Sequence, residues 1–148
     1  MNEKLIALLV MVLAGGLVAM QAPINSALGR VVGSFQAAAW SFVVGLTALV
    51  LLAALTGGFG AAGRARELEW YYLVGGGLIG ATYVTSVLVM VRALGAGGVT
   101  AATIAGQLTM SVLLDHFGLL GLERSPLSAT RLVGVGLLVA GTLLIIRR

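Results

Sequence analysis

The sequence predicts an all-α integral membrane protein: a bundle of five transmembrane helices forming one membrane domain over residues 1–148. Three observations predict it. First, 59% of the residues are hydrophobic and 9% are charged, with a mean hydropathy of +1.09, whereas a soluble domain carries about 25% charged residues. So few charges cannot cover a water-facing surface, so lipid must solvate most of the chain. Second, the apolar runs break into five stretches of about 20 residues, the length that crosses a bilayer. With tight turns these consume nearly all 148 residues and leave no room for an extramembrane enzyme domain. Third, glycine occurs 22 times, about twice its usual share of roughly 7%. Glycine weakens a helix in water, but in lipid small residues let helices approach and pack.

The elements follow in order. Helix one is expected over 4–28. Its apolar run is too long for a signal peptide and passes Gln21-Ala22-Pro23-Ile24-Asn25 without a good cleavage site, with a kink expected near Pro23. Helix two is expected over 34–55, with Ser34 as N-cap and Gly57-Gly58-Phe59-Gly60 as its stop. The loop from Ala61 to Glu69 holds Arg64, Arg66, Glu67 and Glu69. Helix three, 70–92, opens on Trp70-Tyr71-Tyr72, an aromatic belt of the kind found at membrane interfaces. Leu94-Gly95-Ala96-Gly97-Gly98 reads as a tight turn. Helix four is expected over 99–120, ending at Leu114 if Asp115 and His116 stand in water and near Leu122 if they do not. Ser125-Pro126 reads as an N-cap with proline at the first helical position, which starts helix five over 126–146.

Composition excludes several functions. There is no cysteine, so disulfides, thiolate metal sites and thiol nucleophiles are absent. The net charge of +4 does not indicate nucleic acid, because the arginines sit singly at the ends of apolar segments, where they anchor helices among headgroups. With one histidine and Asp115 as the one deep acid, no nucleophile, base and orienting group can be assembled. Neither an enzyme, a metal site nor a cofactor is expected.

Five spans would place Lys4, Arg64, Arg66, Arg124 and Arg131 on one side and Arg30, Arg92, Arg147 and Arg148 on the other. Lys/Arg excess orients membrane proteins, and five against four is barely an excess. Either the first helix or a partner fixes the topology, or copies insert both ways up and pair antiparallel.

The polar residues inside the spans are the candidate site. Thr100, Thr103, Gln107, Ser111 and Asp115 recur at steps of three and four, one stripe about 120° wide on a helix. Lipid cannot satisfy such a stripe, so it faces a bundle interior or an aqueous cavity. Asp115 either works as a buried acid, binding a cation or carrying a proton, or stands at the interface beside His116. Gln21 and Asn25 share a face beside Pro23, where they either line a path or close the helix. Trp40 shares a face with Gln36 and Thr47, and Tyr83 with Ser86 and Tyr72. Gly75-Gly76-Gly77-Leu78-Ile79-Gly80 matches a dinucleotide fingerprint but lies inside an apolar span, where Gly76 and Gly80 serve close packing instead. Gly134 and Gly141 lie two helical turns apart on one face, and Gly136 with Ala140 adds small-xxx-small spacing, for a helix seam either between subunits or within one chain.

The run Gln21-Ala22-Pro23-Ile24-Asn25, the glycine-rich start of helix three, and Gly106-Gln107…Ser111…Asp115-His116-Phe117-Gly118 resemble the short five-helix, functionally uncharacterised bacterial branch of the drug/metabolite transporter superfamily. The resemblance covers essentially the whole chain and is most specific in the fourth segment. It implies a bacterial inner-membrane protein that is half of an inverted-repeat transporter. It also implies a homodimer, antiparallel or not, or a pair with a related five-helix chain. The superfamily's small multidrug exporters use a glutamate in helix one, whereas this chain has no acid there after Glu3, a departure that argues against proton-coupled export of drug cations by that route. The expected function is secondary transport of a small solute, through a midplane site of Gln21, Asn25, Trp40, Tyr83, Gln107, Ser111 and Asp115. A non-transporting subunit that stabilises a partner membrane protein, and a narrow channel, are the alternatives.

Overall fold

The computed structural model describes residues 2–57, 60 and 62–147. Gly58, Phe59 and Ala61, within the expected stop and loop after helix two, and Arg148 lie outside the described residues. The described residues form four α-helices and no strand: α1 (Glu3–Val32), α2 (Ser34–Leu55), α3 (Trp70–Phe117) and α4 (Ala129–Ile146), with 3₁₀ turns at Ala62–Glu67 and Leu119–Gly121. All four helices are long and apolar enough to cross a membrane. Their large apolar side chains mostly point outward, Leu13 at 71% and Leu55 at 82% exposure for example, as lipid allows and water does not.

The helix limits differ from the expected ones in four places, each with a local cause. Helix α1 runs through Pro23 to Val32 rather than stopping at 28. Its polar residues Asn25 and Ser26 are buried, so they serve the inner face and not a cap, and a membrane helix tolerates its proline. The expected turn over 94–98 shrinks to Gly95, the one residue of α3 outside helical geometry (φ 70°, ψ 168°). The expected third and fourth helices therefore follow each other within α3 as two helical stretches that meet at a kink at Gly95. Helix α3 ends at Phe117 rather than 120, because Gly118 turns left-handed (φ 63°). Helix α4 begins at Ala129 rather than 126, with Ser128, not Ser125, accepting from the Arg131 N–H as N-cap.

The chain divides into two compact units, residues 1–92 and 93–148. In the first, α1 and α2 are joined by Gly33 alone, whose φ of 96° is open to glycine and strained for other residues. Gly33 donates back to the Gly29 carbonyl at 3.1 Å, and its own carbonyl accepts from Ala37 at 3.0 Å. Partners across the turn sit at equal distances from it: Gly29 lies over Ala37, and Ser41 bonds to Asn25. That symmetry defines an antiparallel hairpin. The Leu88 side chain of α3 is fully buried and packs with Ala37 and Ala38, flanked by Leu28 and Val84. A methyl group on Gly29 would stand 3.0 Å from Leu88 Cδ2. Gly29, Ala37 and Ala38 are thus the small surfaces on which Leu88 seats. Gly80 similarly leaves room for the Phe42 ring.

In the second unit, α4 runs antiparallel to the 96–117 stretch of α3. The Thr142 hydroxyl donates to the Ala101 carbonyl at 3.1 Å, Ile146 lies over Gly98, and Arg131 pairs with Asp115 at the opposite end. The loop between them closes the end of α3. Ser125 N–H donates to the Asp115 carbonyl at 2.7 Å, and Arg124 Nε donates to the His116 carbonyl at 3.1 Å. Two carbonyls that the helix end leaves without a partner are thereby satisfied.

Gly29→Leu should lower thermal stability in detergent, by about 1–3 kcal/mol for overpacking a close contact. Gly76→Ala, at a site where a methyl group meets nothing within 4 Å, should leave the melting temperature unchanged.

A candidate polar cleft between α1 and α3

Three of the expected site residues meet in the first unit. Val18, Gln21, Ala22 and Asn25 recur at helical spacing on one face of α1, and Tyr83, Val84, Val87 and Leu88 on one face of α3; together they line a cleft. The cleft encloses about 10 Å³, the lower limit for holding one water molecule. Its walls are aliphatic, and its polar groups are two carboxamides and a phenol.

Asn25 anchors the cleft. It is 7% exposed, and its Oδ1 accepts from Ser41 Oγ at 2.8 Å. A buried amide needs such a partner, because leaving it unpaired costs about 1–3 kcal/mol. Gln21 is exposed and Tyr83 half-buried, and both line the cleft.

The other expected residues lie elsewhere. Trp40 is 64% exposed and does not line the cleft; the next residue, Ser41, faces Asn25. The hairpin register explains this, since one position along a helix turns a side chain by about 100°. Gln107 and Ser111 are exposed in the second unit, and the Ser111 hydroxyl is occupied by the Gln107 carbonyl at 2.7 Å. Thr100 and Thr103 are half-buried.

Asp115 stands in the last turn of α3, and its carboxylate meets Arg131 Nη1 at 3.4 Å with each side chain a little over one-third exposed. Its charge is therefore balanced within the chain. His116 is also occupied: its Nδ1 accepts from the Leu127 N–H at 3.3 Å, and its ring packs edge-on to Phe117 at 4.8 Å.

Sequence reasoning missed Ser41 and Arg131. Ser41 continues the small face Ser34, Ala37, Ala38 at helical spacing, which was the available signal. Arg131 carries the opposite sign to Asp115 across a single loop, and it was weighed for topology alone.

Ser41→Ala should destabilise the protein by about 1–3 kcal/mol, by stranding the Asn25 acceptor. Trp40→Ala should shift the melt less. In a double-mutant cycle, Ser41→Ala and Asn25→Ala should fall short of additivity, as paired groups do.

The model of the family described as "Putative inner membrane exporter, YdcZ" matches residues 6–144, from the first turns of α1 to the last turn of α4. No curated protein and no solved structure matches the chain. The family and the four long apolar helices make this a multi-pass protein of the inner membrane. Matched over nearly its full length, the chain belongs to the YdcZ inner-membrane exporter family.

Proposed function

We propose that the protein is a secondary transporter that moves a small solute through the cleft of Gln21, Asn25 and Tyr83, working as a dimer. The observation that carries this reading is the cleft itself. Polar side chains inside membrane helices are costly unless partnered or hydrated, and here buried Asn25, half-buried Tyr83 and exposed Gln21 converge between α1 and α3 around a space of about 10 Å³. Membership of an exporter family supports the same reading.

In this reading the chain crosses the bilayer five times. A straight helix of 48 residues would be about 72 Å long, more than twice the roughly 30 Å hydrocarbon core. Gly95 divides it into two stretches, each longer than the roughly 20 residues a span needs. Five spans form half of an inverted-repeat machine, and a second copy, or a related chain, supplies the other half. Gly134 and Gly141, on one face of α4, support a subunit seam: a methyl group on either would meet nothing within 4 Å in the single chain. We assign Trp40, Gln107 and Ser111, exposed in one chain, to the path completed by the second copy. Asp115 is assigned to holding the end of α3 against α4.

Two measurements check this reading. In proteoliposomes, Gln21→Ala and Tyr83→Phe should each slow solute exchange about fivefold, the equivalent of one hydrogen bond of about 1 kcal/mol, with no loss of folded protein. Because the chain has no cysteine, one added at the C-terminus reports topology cleanly. Labelling from both faces of the membrane is expected for a dual-topology dimer, and labelling from one face alone would exclude it.

A further inference from the structure

The lining of the cleft also bears on what passes through it, granted that it is the transport path. Among the described residues, no carboxylate, amine, guanidinium or imidazole lines it. The nearest acid before it on α1 is Glu3, about 27 Å away from Gln21 along the helix. Lys4, Arg30 and Arg92, the Lys and Arg residues on the two cleft helices, are exposed and do not line it. In the other unit, Asp115 is already paired with Arg131. A charge held in an apolar site must be paired or it is strongly disfavoured, and this cleft offers it no counter-charge.

What the cleft does offer is hydrogen bonding of both kinds. Ser41 occupies the Asn25 Oδ1, which leaves the Asn25 amide N–H groups as donors; they have no partner among the described residues. The Gln21 carboxamide and the Tyr83 hydroxyl each donate and accept. Val18, Ala22, Val84, Val87 and Leu88 supply apolar walls around them.

We infer that the cleft between α1 and α3 selects a small uncharged solute bearing hydrogen-bonding groups, and moves it without binding or releasing a proton. This rests on the transport reading above. A cation carrier would need an acid at this place, and a proton-coupled one would need a group that titrates.

The test uses the full chain in liposomes loaded with pyranine to report protons. The neutral probes are urea, glycerol and erythritol, the cations tetramethylammonium and choline, and the anions acetate and phosphate. The expected result is protein-dependent flux of at least one neutral probe, exclusion of the charged ones, no proton movement, and a rate flat between about pH 5 and 8, the range in which an unperturbed histidine would titrate. Asn25→Asp should then impose a pH dependence that the wild type lacks. Flux should be high when the new acid is protonated and should fall as it ionises. If Asn25→Asp does not fold, Gln21→Glu, at an exposed position, should do the same. Flux of a charged probe, or protons moving with solute, overturns the inference and leaves the transporter reading intact. If every probe stays outside, the inference falls together with the transporter reading.

Discussion

One close approach organises the first 92 residues: Leu88 of α3 seated on Gly29 of α1 and Ala37 and Ala38 of α2. Helices in lipid gain no hydrophobic driving force from meeting one another, so close contact and interhelical hydrogen bonds must hold them. Here both occur together. The glycine and alanines admit the leucine, and one turn deeper the same approach brings Ser41 to Asn25 at 2.8 Å. The Gly33 turn sets the register that makes both possible. The cleft is what remains between α1 and α3 beside that contact, with Asn25 as its fixed wall.

The second unit uses polar contacts differently. Asp115, His116, Arg124, Ser125 and Arg131 could suggest a reactive cluster, yet their groups close a helix end. Two backbone carbonyls, one imidazole nitrogen and one carboxylate find partners in the loop and in the first turns of α4. The loop also holds Leu120 at a φ of 57°, a conformation that costs a non-glycine residue about 1–2 kcal/mol. The capping bonds offset that strain. In the proposed transport reading, function falls to the uncharged cleft of the first unit and the paired charges serve architecture.

How much of this was legible in the sequence depended on the residue type. Spans follow from hydropathy, and the buried polar position Asn25 follows from the rule that lipid cannot satisfy it, with Gln21 and Tyr83 beside it along the same cleft. The end of α1 was misread because Asn25, Ser26 and Gly29 close helices in water, whereas in lipid the same residues form packing seams. Trp40 was named and Ser41 passed over because only the hairpin register, set by Gly33, says which of two adjacent residues turns inward. The end of α3 was open in the sequence because tertiary bonds from Arg124, Ser125 and Leu127 decide it, and no local pattern encodes them. Gly95 was one of several glycines in a run, and nothing local marked it as the single non-helical residue.

The central claim of the proposed transport path is that water and solute reach the cleft from the aqueous phase. In this cysteine-free chain, the most direct measurement is the reaction of Gln21→Cys with a membrane-impermeant maleimide in intact proteoliposomes, compared with Val12→Cys on an exposed apolar stretch of the same helix. The account predicts that position 21 reacts and position 12 does not. Equal protection of both would place Gln21 in lipid or in a sealed seam, and would contradict a transport path between α1 and α3.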